Sequence, residues 1–272
     1  MFETVRFIEI VLLIYGLSLI GYFLDFLQHN QRVNQFAFWL LGIVWAIQSI
    51  YLLDSLFQAQ SLPIANLRDG LFFYSWILVT FSLVINRLFK IHFIVLFTNV
   101  FSFFILLLYM FSHAEQQSVR MSVQLANEIL IIHIALSIMS YGFFTIGFLL
   151  SMMHGLQYYF LKHKTGLRWM WRFGDLHRLD QLSFWANALG IPLLMIGLML
   201  GVVWAYTSGA EFYWFDMKTI GSFVLLGVYI IYLFVRMGWR YEKQKTSYFQ
   251  LLAFLLLLIN FFLFGVFSDF HF

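Results

Sequence analysis

Eight apolar runs, each about as long as a bilayer is thick, constrain this chain more than any other feature. A helix needs about 20 residues to cross the hydrocarbon core. The runs fall at about 5–26, 35–57, 69–86, 91–112, 126–150, 185–207, 217–236 and 247–268, and the fifth can continue helically toward residue 161. In lipid every backbone N–H and C=O must be satisfied within its own segment, so runs of this length predict helices. Of the 272 residues 62% are hydrophobic and only 11% charged, against about a quarter in soluble domains. The expected fold is therefore an all-α polytopic membrane protein, a bundle of eight transmembrane helices. Residues 1–272 suit a single integral membrane domain. The first run has mixed charge before it and no small-residue cleavage site after it, which predicts a retained first helix.

The basic residues orient the bundle. Twelve of the sixteen Lys and Arg lie in the connections after helices 1, 3, 5 and 7, and four lie on the other side. By the positive-inside rule this puts both termini outside and the basic loops in the cytoplasm. A net charge of +3 distributed in this way argues for orientation in a membrane and against nucleic acid as a partner. The longest cytoplasmic connection, 162–184, interleaves Lys and Arg with Trp169, Trp171, Phe173 and Trp185. Such a segment reads either as an interfacial stretch on anionic lipid or as a docking surface for a soluble partner. The chain has no cysteine, which excludes disulfides, thiolate metal sites and covalent thioether attachment of haem.

Helix 6 carries Gly190, Gly197 and Gly201 on one face, and Gly197–Gly201 is a small-xxx-small pair that lets a neighbouring helix approach. Pro192 falls in the second turn of the apolar run, where a kink is expected. Gly142 and Gly147 on helix 5 are expected to pack likewise.

Topology sorts the eight histidines. His29, His92, His154, His163 and His177 fall at or near the cytoplasmic face, and His113, His133 and His271 fall toward the outside. His133 lies about two turns into helix 5, where ionisable groups are uncommon and face a cavity or a bundle interior. Taken alone it reads either as a core residue bonded across helices or as a ligand. His271, in the terminal FSDFHF, taken alone reads as a terminal residue. Between them in sequence lies an outer loop, Phe212 to Lys218, rich in aromatics and holding Asp216 and Lys218. Trp204, Tyr206, Tyr213 and Trp214 read as an interfacial aromatic belt or as walls for a flat apolar macrocycle. Two imidazoles, aromatic faces and a cation near the propionates are the parts that a haem site requires. No Ser/His/Asp array, phosphate-binding glycine loop or metal-spacing motif points to an enzyme.

The stretch Leu179-Asp180-Gln181-Leu182-Ser183-Phe184, with Gly190 to Gly197 and Gly201-Val202-Val203-Trp204-Ala205, resembles the cytochrome c assembly family, the CcsA, CcmC and CcmF haem-handling membrane proteins. Pro63 to Trp76 resembles an earlier helix of that family, and the resemblance covers about residues 63–272. It implies that His133, in Leu130-Ile131-Ile132-His133-Ile134, and His271 are the axial ligands of non-covalent haem b near the outer face. It further implies that Tyr213, Trp214, Phe215 and Trp204 line the porphyrin, with Lys218 as propionate partner and Asp216 positioning Lys218 or its loop. The chain departs from the family pattern in two places. Where the family has W-x-W-D-P-K-E, this chain has Tyr213, Trp214, Phe215, Asp216, Met217, Lys218 and Thr219. Phe234 stands where cytochrome c synthetases carry the histidine of an inner haem site, and Phe cannot ligate iron. These departures most resemble the HemX branch, which implies a bacterial cell-membrane protein that lowers the level of glutamyl-tRNA reductase, a cytoplasmic partner. The alternatives are haem presentation during cytochrome c maturation, or a scaffold that no longer binds haem.

Overall fold

The computed structural model describes residues 2–28, 30–59, 67–89, 92–112, 128–164, 175–207, 216–238 and 243–266. All the secondary structure among them is helical. The helices are α1 (Phe2–Gln28), α2 (Gln31–Ala59), α3 (Leu67–Leu88), α4 (His92–Phe111), α5 (Glu128–His163), α6 (Leu176–Thr207), α7 (Met217–Met237) and α8 (Lys243–Val266). The first seven are long and apolar enough to cross a membrane, which makes the chain multi-pass. In α8 the apolar stretch with described side chains is shorter, Thr246–Phe262.

The chain forms two compact units, Met1–Met121 and Ser122–Phe272. The first holds α1–α4 as an antiparallel bundle. Its register can be followed in side-chain pairs: Asn34 to Asp25 at 2.8 Å between α1 and α2, Trp45 to Thr80 at 2.9 Å between α2 and α3, and Asn99 to Ser82 at 2.7 Å between α3 and α4. Its lipid-type face is apolar and exposed, with Leu13, Phe36, Trp39 and Ile50 pointing outward.

The second unit holds α5–α8, with α5 touching each of the other three. Phe144 of α5 stacks on Tyr229 of α7 at 3.7 Å, and Phe148 stacks on Phe254 of α8 at 4.1 Å. Asn260 of α8 donates to both Tyr141 of α5 and Ser222 of α7, each at 3.2 Å. Helix α5 ends at His163, because the next residue, Lys164, has a left-handed φ of 54° that cannot continue the helix.

Helix α6 differs from the expectation. It starts at Leu176, not near residue 185, so 176–184 belong to a helix and not to the long connection. The polar residues that make this stretch look like a loop are satisfied inside the unit. Asp180 is buried and paired at 2.6 Å with Arg236 of α7, and Ser183 bonds to Ser151 at 2.7 Å and to the Gly147 carbonyl at 3.0 Å. Pro192 consequently lies deep inside a 32-residue helix and not in its second turn, and the helix continues through it.

Candidate functional site

Helices α5 and α6 pack by setting a small residue against a larger side chain at each step. A methyl group added at Gly147 would meet Asn187 at 2.7 Å, and one at Gly190 would meet the Phe144 ring at 2.6 Å. At Gly197 it would meet Ser137 Oγ at 2.8 Å, and at Gly201 it would meet His133 Cε1 at 2.7 Å. The glycine face expected to let a neighbour approach is therefore also the seat of the His133 ring.

That seat controls the chemistry of the ring. His133 Nδ1 lies 2.6 Å from the carbonyl oxygen of Gly197. A carbonyl can only accept, so Nδ1 carries the proton and the neutral ring presents the lone pair of Nε2. Ring orientation set by a bond from the far nitrogen to a backbone carbonyl is how proteins prepare a histidine to hold a metal. Ser137, one turn on, donates to the His133 carbonyl at 2.8 Å and takes up the space that Gly197 leaves.

The other expected residues divide into two groups. Lys218, half-buried in the first turn of α7, lies within electrostatic range of His133. Asp216 caps α7, its Oδ2 accepting from the backbone N–H of Lys218 at 3.1 Å and of Thr219 at 3.3 Å. Asp216 thus fixes the first turn of α7, which carries Lys218. Trp204 lies on α6 one turn beyond Gly201, half-buried. Tyr213, Trp214, Phe215 and His271 lie outside the described residues, as do His113, Trp169, Trp171 and Phe173.

Among the described residues, the His133 imidazole with Nδ1 tied to a backbone carbonyl, and Lys218 within electrostatic range of it, are groups of the kind that could hold haem. Loss of the cap gives a direct check on the frame. Asp216→Ala is expected to lower stability by about 1 kcal/mol, with Asp216→Ser largely restoring it, as read from thermal melts in detergent.

Sequence reading missed Ser137 and the Gly197 carbonyl, because neither a serine nor a backbone oxygen carries a motif. It also missed the Asp180–Arg236 pair, whose partners are 56 residues apart. Phe234 is 73% exposed on the outward face of α7.

The described residues thus form a polytopic helical protein in which a histidine is seated on the glycine face of a neighbouring helix. The chain belongs to the cytochrome c assembly protein family, whose profile matches residues 64–271. More particularly, it is similar to Protein HemX of Bacillus subtilis (strain 168), at 43% identity over 266 residues that cover 98% of this chain and 96% of that protein. It is 37% identical to Protein HemX of Brevibacillus brevis, covering 97% of this chain and 96% of that one. The cytochrome c biogenesis protein CcsA of Mesostigma viride is 27% identical, covering 85% and 82%. The resemblance to the HemX branch is borne out, and the matched range includes both His133 and His271.

Proposed function

We propose that this chain is a haem-binding membrane protein of the HemX type, which lowers the level of glutamyl-tRNA reductase in response to haem supply. The observation that carries the haem reading is the 2.6 Å contact from His133 Nδ1 to the Gly197 carbonyl. It leaves Nε2 as a ligand and holds the ring in place before any ligand arrives. In this reading His133 and His271 are the axial ligands of non-covalent haem b, and Tyr213, Trp214, Phe215 and Trp204 pack on the porphyrin. Lys218 pairs with a propionate, and Asp216 holds the turn that carries Lys218. Bound haem would supply an iron centre whose occupancy follows haem supply; the chain itself catalyses no reaction.

The chain acts as one membrane domain of eight spans in the cytoplasmic membrane of a bacterium, with both termini outside. The support is the uneven distribution of Lys and Arg together with helix α8, whose apolar run continues in sequence past residue 262. The basic connection after α5 then faces the cytoplasm, where it can meet lipid headgroups and the reductase. A second reading draws on the similarity to CcsA, which is named for cytochrome c biogenesis: here haem is presented to an apocytochrome.

Purified protein supplied with haem is expected to show a Soret band that His133→Ala combined with His271→Ala abolishes. A band that survives the double substitution unchanged overturns the ligand assignment. Deleting the gene is expected to raise glutamyl-tRNA reductase. Loss of c-type cytochromes with the reductase unchanged would favour the second reading instead.

A further inference from the structure

Depth along the α5–α8 unit can be read from its contacts. Helices α5 and α6 run antiparallel in one register: Gly201 seats His133, Gly197 faces Ser137, Gly190 faces Phe144, Gly147 faces Asn187, and Ser151 bonds to Ser183 at 2.7 Å. Each step forward on α5 is matched by an equal step back on α6. One turn beyond Ser151 the same register brings His154 level with Asp180. Helix α7 meets this pair at both ends, with Lys218 in electrostatic range of His133 and Arg236 paired with Asp180 at 2.6 Å. Its 21 residues span about 31 Å at the helical rise, one hydrocarbon thickness. Helix α8 reaches the same level, where Ser247 lies 3.0 Å from His154 and Thr246 accepts from Arg236 at 3.2 Å. His154, Asp180, Arg236, Thr246 and Ser247 therefore mark one edge of the hydrocarbon core.

Past that edge α5 runs on to His163, about 14 Å further at the helical rise, and α6 begins about 6 Å beyond it at Leu176. The exposed side chains on this extension are ordered by depth. Trp185 stands just inside the edge on α6, and Leu156 just beyond it on α5. Tyr159 and Leu161 follow, and the Tyr159 ring lies 4.4 Å from that of His163. Lys162 and Lys164 come last on α5, and Arg178 on α6 is level with Leu156. Side chains on a helix lean toward its N-terminus, so those of Tyr159 and Lys162 lean back toward the edge. A change from apolar to aromatic to cationic groups is the order in which hydrocarbon gives way to headgroups. A face that docks a soluble protein need not be ordered by depth.

Charge points the same way. Among the described residues the carboxylates at this end are Asp180, paired with Arg236, and Asp175, which accepts from the backbone N–H of His177 at 3.2 Å. Lys162, Lys164 and Arg178 thus face a single exposed carboxylate. Elsewhere among the described residues exposed cations stand singly, Arg32 at the start of α2 and Arg87 at the end of α3. We propose that the end of α5 and the start of α6 form a collar that binds anionic phospholipid. Lys162, Lys164 and Arg178 pair with headgroup phosphates, while Leu156, Tyr159 and Trp185 lie against the acyl boundary. Zwitterionic lipid carries its own cation beside each phosphate, so a cluster of cations favours lipid of net negative charge. The collar is independent of haem, whose proposed ligand His133 stands at the opposite end of α5.

The test uses the full chain in detergent micelles seeded with equal amounts of phosphatidylglycerol and phosphatidylcholine, with bound lipid read by native mass spectrometry. Phosphatidylglycerol is expected to be retained about tenfold over phosphatidylcholine. Lys162→Gln, Lys164→Asn and Arg178→Gln together are expected to remove most of that preference; asparagine suits the left-handed backbone at 164. Arg32→Gln combined with Arg87→Gln is expected to leave it unchanged. All five side chains are exposed, and thermal melts check that each variant folds. Equal retention of the two lipids overturns the proposal. So does an equal loss in the Arg32→Gln, Arg87→Gln protein, since net charge and not the collar would then hold the lipid. A preference that survives the triple substitution also overturns it, and would make this end a surface for a soluble partner.

Discussion

Asp180→Ala is expected to destabilise the protein by about 3–5 kcal/mol, the largest loss among the single substitutions considered. Asp180 and Arg236 meet at 2.6 Å with side-chain exposures of only 6% and 12%. Arg236 also donates to Thr246 at 3.2 Å and to the Asp180 carbonyl at 3.2 Å, so one guanidinium ties α6, α7 and α8 together. Removing the carboxylate strands a buried cation, and the cost is mainly that of the uncompensated charge. Removing both charges is a different matter. Asp180→Leu combined with Arg236→Leu is expected to lose far less than Asp180→Ala alone, because two apolar side chains of similar bulk need no partner. Thermal melts of the three proteins in one detergent check this. A double variant as unstable as Asp180→Ala would mean that the lost packing, not the charge, sets the cost.

Gly201→Ala is expected to weaken haem binding by about tenfold to a hundredfold, the range seen when the group that orients a metal ligand is lost. The added methyl would stand 2.7 Å from Cε1 and 2.8 Å from Nδ1 of His133. Neither distance is tolerable, and the ring, as the free end of a side chain, gives way before the helix does. It then leaves the Gly197 carbonyl, and with that bond go the preferred tautomer and the aim of Nε2. Two measurements separate this from general damage. The nitrogen NMR shifts of the His133 ring report the tautomer without haem. Gly227→Ala, at a helical glycine with nothing within 4 Å, is expected to leave haem binding unchanged and the melt the same or higher.

The helices were legible because lipid allows so little else. Seven expected spans coincide with helices long and apolar enough to cross a membrane, and the glycine face of α6 was legible from its spacing. The start of α6 was not, because hydropathy treats Asp180 and Ser183 as solvent-seeking. Their partners Arg236, Ser151 and the Gly147 carbonyl are distant in sequence. Pro192 was misjudged for the same reason, since its position in the helix depends on where that helix begins.

The site divides along a similar line. His133 stood out because an imidazole two turns into an apolar run is uncommon, and Lys218 and Asp216 stood out as charges closing an aromatic loop. Their residue types could be read without coordinates. That Asp216 serves as the α7 cap could not be read, because capping depends on where the helix starts and on which N–H groups face the carboxylate. The buried polar residues of α1–α4 are the extreme case. Tyr15 and Asn99, or Ser75 and Ser102, are scattered through apolar runs and carry no motif until the helices bring them together.

By itself the sequence determined the class of structure and the chemical inventory. Apolar runs of bilayer length must become helices, and a chain without cysteine must bind any metal through other ligands. Only the tertiary structure decided what those groups do. Two glycines 197 and 201 on one helix hold a histidine on another, a backbone carbonyl selects its tautomer, and an arginine 56 residues away makes a buried aspartate affordable. Each of these depends on distances of about 3 Å between residues far apart in the chain, and such distances exist only after packing.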